Sequence, residues 1–226
     1  MTDVSALREQ YRDLSELDHR PEGIRYAATL PDGTPVVALA INEEVAARIR
    51  HPERFIAAFD RAAAVHHEAI VPPLAWGQAA DGTLHCAYAR LEPERISPGS
   101  LSPSEVATIG MQLARALSTV HGAGLVHGAI TPERALLTND RGAQLSALGL
   151  FTALSDGGLG IQEATALLSE SAYASPEAQA GKTPDERSDI YSLGAALYEL
   201  LTGKPPYGGR TTSYVMAAVL GDKAEA

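Results

Sequence analysis

The stretch that most constrains this chain is residues 125–150, LVHGAITPERALLTNDRGAQLSALGL. Two short strand-like runs, Ala135-Leu136-Leu137 and Gln144-Leu145-Ser146, flank the turn residues Asn139-Asp140-Arg141-Gly142. That pattern predicts a β-hairpin. A loop over residues 127–134 leads in, and Ala147-Leu148-Gly149 leads out. On both sides the apolar period becomes helical. Val106, Ile109, Leu113, Leu117 and Val120 share one stripe, and Ile190, Leu193, Leu197 and Leu200 share another.

Before residue 91 the pattern is that of strands around one helix. Tyr11-Arg12-Asp13-Leu14 reads as a first strand, and residues 18–26 as a turn that passes into the alternating run Ile24-Arg25-Tyr26-Ala27. Pro31-Asp32-Gly33-Thr34 signals a turn, and residues 36–41 suit a buried strand. Residues 43–50 suggest a short charged helix. Residues 53–65 place Phe55, Ile56, Phe59 and Ala63 on one helical face. Ile70-Val71-Pro72-Pro73-Leu74 and Leu84-His85-Cys86-Ala87-Tyr88 read as strands around Ala80-Asp81-Gly82. The proline-bearing segment 93–103 is the expected boundary between a strand-rich unit, 1–92, and a helical one, 93–226.

Ser102, Pro103 and Glu105 predict a helix start with a capping box. Ser188 and Asp189 are expected to cap the second helix, and Gly203 to stop it. Residues 156–171 read as a loop, and 211–220 as a last helix. Strands first and helices later give the α+β class.

The net charge of −10 argues against nucleic acid, which demands a basic surface, and disfavours an anionic membrane. A single cysteine, Cys86, excludes an internal disulfide and fits a reducing compartment. Its setting, LHCAYARL, is that of a buried structural thiol. No run approaches the ~18 apolar residues of a membrane span. The N-terminus, MTDVSALREQ, lacks the basic-then-apolar pattern of a signal peptide. The expected location is cytoplasmic, a membrane anchor beyond residue 226 remaining compatible with it.

Four segments, GLVHGAITPERALL, AQLSALGL, YASPEA and SDIYSLGAALYELLTGKPPY, resemble the bacterial serine/threonine protein kinase family in order and spacing. The resemblance covers nearly the whole chain. It implies a two-lobed kinase-like fold, a small β-rich lobe with one main helix and a mostly helical large lobe. The family's large lobe continues with further helices, so that lobe is expected to be incomplete at its C-terminal end.

The resemblance also implies a degenerate site. Phosphoryl transfer rests on positioning and charge stabilisation, so each family residue has a physical task. Two glycine positions of the phosphate loop fall on Asp18 and Arg20, leaving Gly23. The phosphate-gripping strand lysine falls on Ala40, and its helix glutamate on Ala58. Asp60 lies two positions on, roughly 200° around the helix. Ala129 stands for the proton-accepting aspartate, Thr131 for the catalytic-loop lysine and Arg134 for the metal-holding asparagine. Ala147 stands for the main metal-binding aspartate, and Mg²⁺ needs hard oxygen ligands. Glu170 falls near a family threonine. Structural positions match at His127, which would brace the loop, at Gly149 and at Gly194. Asp189 would tie its helix to the loop backbone, and Glu177 resembles a buried glutamate whose arginine partner lies further along the family's chain.

These substitutions imply a pseudokinase, a protein-interaction or regulatory module with no catalytic, cofactor-binding or metal-binding residues and no cofactor. Losing one electrostatic group at a transition state already costs on the order of 10²–10³ in rate. The expected partners are proteins, an active kinase or a phosphopeptide-binding domain among them, and not nucleic acid or membrane. Two alternatives stand beside this: a weak or unconventional ATP-dependent kinase or nucleotide transferase, and a small-ligand sensor using the inter-lobe cleft. Bulky Tyr88 near the back of the cleft counts against nucleotide. His66-His67-Glu68 reads as a solvated helix end, and Ser175 lacks a nucleophile-elbow setting. Asp156 reads as a surface-loop residue. Thr165, Ser169 and Ser171 lie where active kinases are phosphorylated, in what reads as a solvated loop.

Overall fold

The computed structural model describes residues 6–91, 98–138, 142–169 and 171–207. The turn residues Asn139, Asp140 and Arg141, Glu170, the helix expected over 211–220 and part of the boundary segment lie outside the described residues.

Five strands, β1 (Arg12–Arg20), β2 (Gly23–Thr29), β3 (Pro35–Ile41), β4 (Pro73–Gln78) and β5 (Leu84–Ala89), form one sheet in the order β1-β2-β3-β5-β4. Neighbouring strands run antiparallel. The residues expected as a turn at 18–20 are the end of β1, and the turn is only Pro21-Glu22. Asp18 lies opposite Arg25 on β2, and a cross-strand ion pair gives these polar residues a reason to stay extended. Gly23 follows because β3 passes too close for a side chain; a Cβ there would lie 2.0 Å from the Ala40 carbonyl oxygen.

Strand alternation gives the sheet two unlike faces. Val36, Ala38 and Ala40 join Tyr26, Ala28 and Ala87 in an outer cluster, closed by Leu7 and Tyr11 from the N-terminal segment. Leu39 and Ile41 face the other way, onto helix α2 (Pro52–Ala63), which follows the short α1 (Glu43–Ala46). The buried face of α2 is Phe55, Ala58, Phe59 and Ala62, not the expected face carrying Ile56 and Ala63. Small residues win the inner positions because backbone comes close there: a Cβ on Gly149 would sit 2.7 Å from Ala62 Cβ.

The strand expected from Ile70 begins only at Pro73. Ile70 instead bridges in parallel to Leu145. Val71 N–H donates to the Leu145 carbonyl at 2.8 Å, and Leu145 N–H to that of Ala69 at 2.9 Å. These bonds stitch the sheet-bearing half to the helical half.

In that half, α3 (Pro103–Gly122) starts at the capping box of Ser102 and Glu105. The hairpin is β6 (Ala135–Thr138) with β7 (Gly142–Leu145). It packs with Leu113, Leu117 and Val120 of α3 and with Leu193 and Leu200 of α7 (Glu186–Thr202). The cap of α7 is Asp185, with Ser188 completing the box, so Asp189 lies inside the helix. Ile190, expected in the buried stripe, is 54% exposed. The segment read as a loop holds two helices, α4 (Leu150–Gly157) and α5 (Ile161–Leu168), followed by the short α6 (Pro176–Gln179). Leu150, Phe151, Leu154, Ala164 and Leu168 enter the same core as α2 and the inner sheet face, and that burial is what folds the segment. No described helix is long and apolar enough to cross a membrane.

Candidate functional site

The resemblance places the cleft where the loop before β6 and the residues after β7 meet the inner face of the sheet, and there Ala129 and Ala147 share a buried cluster with Leu39, Cys86 and Tyr88. The loop is held from below by Asp189, which is 1% exposed. Its carboxylate accepts the backbone N–H groups of His127 and Gly128, each at 2.8 Å. His121 Nε2 lies 2.8 Å from the same group, and this bond raises the imidazole pKa above its ordinary value against the pull of partial burial. His127 is fully buried, donates from Nε2 to the Ser146 carbonyl at 3.0 Å, and is pushed toward neutrality by burial. Gly128 has φ 69°, and a Cβ there would strike the Phe151 ring at 2.5 Å.

Above this frame the reactive positions are apolar. Ala129 and Ala147 are buried and share a cluster with Ala58, Cys86 and Tyr88. A methyl group offers neither a base nor a metal ligand. Thr131 is buried, and its carbonyl accepts the N–H groups of Arg134 and Ala135. Tyr88 donates its hydroxyl to the Leu148 carbonyl at 3.0 Å and so closes the back of the cleft. Burial pushes this phenol well above its ordinary pKa, as it does the Cys86 thiol; both stay neutral.

At the front the cleft is crossed by ion pairs that local sequence patterns do not reveal. Arg134 Nη2 donates to Glu22 Oε1 at 2.9 Å, with the side chains 16% and 5% exposed. Its Nη1 faces the carbonyls of Ala129, at 3.3 Å, and Leu168. Burial depresses the guanidinium pKa, and Glu22 opposes that shift. Nearer solvent, Arg20 pairs with Glu133 and with Asp18, and Asp18 also holds Arg25. The Arg25 bond keeps the Asp18 carboxyl below the usual carboxylate range. Glu22, Arg25 and Glu133 escaped sequence reasoning; the only hint was the dense charge alternation of DHRPEGIR.

Several expected positions fall elsewhere. Ala40 points to the outer sheet cluster, away from Ala58, so these two do not share the cleft. The inward positions of β3 are Leu39 and Ile41, which carry no charge either. Asp18 does not lie bare against a phosphate space but between two arginines. Asp60 accepts from Trp76 Nε1 at 3.0 Å on an exposed surface. Asp156 lies on α4, paired with Arg61 at 2.7 Å. Glu177 is half-buried rather than buried and accepts the Ser188 hydroxyl, which with neighbouring bonds outweighs burial and lowers its pKa. Thr165 is buried on α5, not in a solvated loop. Gly149 has φ 92° at the start of α4, and Gly194 lies on the exposed side of α7.

Comparison with known proteins bears on the fold and the family. The protein kinase domain family matches residues 48–223. The chain is 30% identical over 197 residues to the Corynebacterium efficiens protein named "Probable serine/threonine-protein kinase CE0033", covering 82% of this chain and 30% of that protein. It is 31% identical over 164 residues to the serine/threonine-protein kinase PknB of Mycolicibacterium smegmatis, covering 69% of this chain and 26% of that one. It thus spans under a third of the length of these relatives. The Mycobacterium tuberculosis PknI kinase domain has the same fold, with a TM-score of 0.68 at 24% identity over 88% of this chain and 76% of that chain. The chain belongs to the protein kinase domain family.

Proposed function

We propose that the chain is a non-catalytic kinase-fold module, a pseudokinase that works by binding other proteins. The observation that carries this reading is a cleft filled by the chain's own side chains: Glu22 on Arg134, and Tyr88 on Leu148, above the methyl groups of Ala129 and Ala147. A nucleotide carrying Mg²⁺ would bring its metal against the Arg134 guanidinium and would find no carboxylate at 129 or 147 to hold it. The test is thermal denaturation with and without ATP and Mg²⁺. A ligand at about 100 times its dissociation constant adds about 2.7 kcal/mol. The expected result is no metal-dependent shift, together with no labelled phosphate passed to a generic substrate. A clear shift that needs Mg²⁺ overturns the reading.

Exposed apolar side chains on the helical half support the protein-binding part. Met111, Ile190 and Leu201 are 58%, 54% and 40% exposed. Candidate partners are an active kinase or a phosphopeptide-binding domain. Affinity capture with the whole protein that contains this chain checks it: a partner recovered reproducibly, and lost on Ile190→Asp, is expected. Recovery of none counts against the reading.

A further inference from the structure

We propose that Arg134 is the centre of an anion site that the protein fills with its own Glu22. The external ligand that takes Glu22's place is a phosphate monoester dianion, bound without a divalent cation.

The argument starts from the aim of the guanidinium. Nη1 is held by two backbone carbonyls, those of Ala129 and Leu168. These fix the plane of the fork whatever Nη2 meets. Nη2 is therefore presented to the cleft, and the group that meets it is a carboxylate. A cation buried this far needs an anion, and removing its partner leaves an uncompensated charge. The site thus has intrinsic anion affinity, and the structure shows it satisfied from within.

The charge count favours phosphate over another carboxylate. Arg20 reaches the same loop, where its partner Glu133 immediately precedes Arg134 in the chain. Arg20 is itself shared between Asp18 and Glu133. Two neighbouring guanidinia are matched better by one dianion with three oxygens than by separate monoanions, and a planar fork suits phosphate. Two cations leave no place for Mg²⁺ between them.

The occupant is also suitably mounted. Glu22 lies in the two-residue turn between β1 and β2. That turn is tied to the end of β3 by main-chain and side-chain bonds of Asn42, at 3.1 and 2.8 Å. Its ties to the opposite loop are the side-chain pairs Arg20–Glu133 and Glu22–Arg134. An incoming anion has to displace a carboxylate, not a strand.

This inference does not rest on protein binding, and its test contains no Mg²⁺, so its failure is distinguishable from that of the pseudokinase reading. Melting temperatures are measured with EDTA in sodium phosphate and in sodium chloride of matched ionic strength, for the wild type, Glu22→Gln and Arg134→Gln. Glu22→Gln should gain roughly 5 °C at a phosphate concentration about 100 times its dissociation constant. The wild type should need at least about tenfold more phosphate for the same shift, since Glu22 competes at a cost of about 1.4 kcal/mol or more. Arg134→Gln should show no phosphate-specific shift. Glu22→Asp keeps the charge but shortens its reach, so it remains informative if Glu22→Gln does not fold; its response must exceed that of the wild type. Parallel arms with AMP and O-phosphoserine distinguish a nucleotide from a phosphorylated side chain as the source. Equal responses to phosphate and chloride in the glutamate variants, or a phosphate shift that survives Arg134→Gln, overturn the proposal.

Discussion

Ala147 carries a backbone cost that its side chain does not explain. Its φ is 68°, in the left-handed region where a Cβ is strained by about 1–2 kcal/mol. What holds it there is the next residue, Leu148, which is fully buried and whose carbonyl takes the Tyr88 hydroxyl. Ala147→Gly should therefore raise stability by about 0.5–1 kcal/mol, read from the urea midpoint. A fall would show that packing of the lost methyl outweighs the strain. At this scale the sequence was most legible at Asp189 and His127, where the expected tie to the loop backbone and a buried bond to the Ser146 carbonyl are both present. It was least legible for partners. Glu22 and Arg134 are 112 positions apart, and nothing local links them. The direction of Ala40 was also hidden, since a one-residue change of strand register reverses every side chain.

Among the elements, α7 shows how a helix fixes a loop it does not contain. Asp185 caps it from an accessible position, while Asp189, one turn in, collects the N–H groups of His127 and Gly128. Asp189→Ala should cost about 3–5 kcal/mol, because buried donors are left unpaired. Asp185→Ala should cost about 1 kcal/mol, the usual loss of a cap. Urea denaturation of the two variants checks the contrast; similar losses would show that Asp189 acts only within its own helix. The α3 and α7 helices were legible because each is long, periodic and opened by a capping signal. The α4 and α5 helices were not. At eight residues each, bracketed by Gly149, Gly158 and Gly160, they are too short to display a period, and their helicity comes from burial, of α4 against α2 and of α5 against α4 and α6. The α2 helix was found but turned, since alanine carries little weight in an apolar pattern and yet takes the closest contacts.

For the molecule as a whole, the outer sheet face contains a pH-sensitive group. Tyr11 hydroxyl lies 2.8 Å from His85 Nδ1, and burial lowers the His85 pKa to about 4. The folded value lies below the unfolded value of about 6.5. Its contribution is therefore fully present above pH 6.5 and is lost as pH falls toward 4, by up to about 3 kcal/mol. His121 has the opposite sign: raised by Asp189, its contribution is present at low pH and fades as pH rises through the folded value. Urea midpoints of the wild type and His85→Leu between pH 6.5 and 4.5 test the first statement. The wild type should lose more stability than the variant over that interval, and parallel curves would refute it. The core shared by the sheet, α2, α4 and α5 has one more consequence. It draws on residues from Leu39 to Leu168, so burying the inner sheet face takes residues from both halves of the chain. A gene divided between β5 and α3 would yield a first half whose inner face, with Leu39, Ile41, Phe55, Phe59 and Cys86, is bare. Such halves would have to be made together, each acting as the other's template.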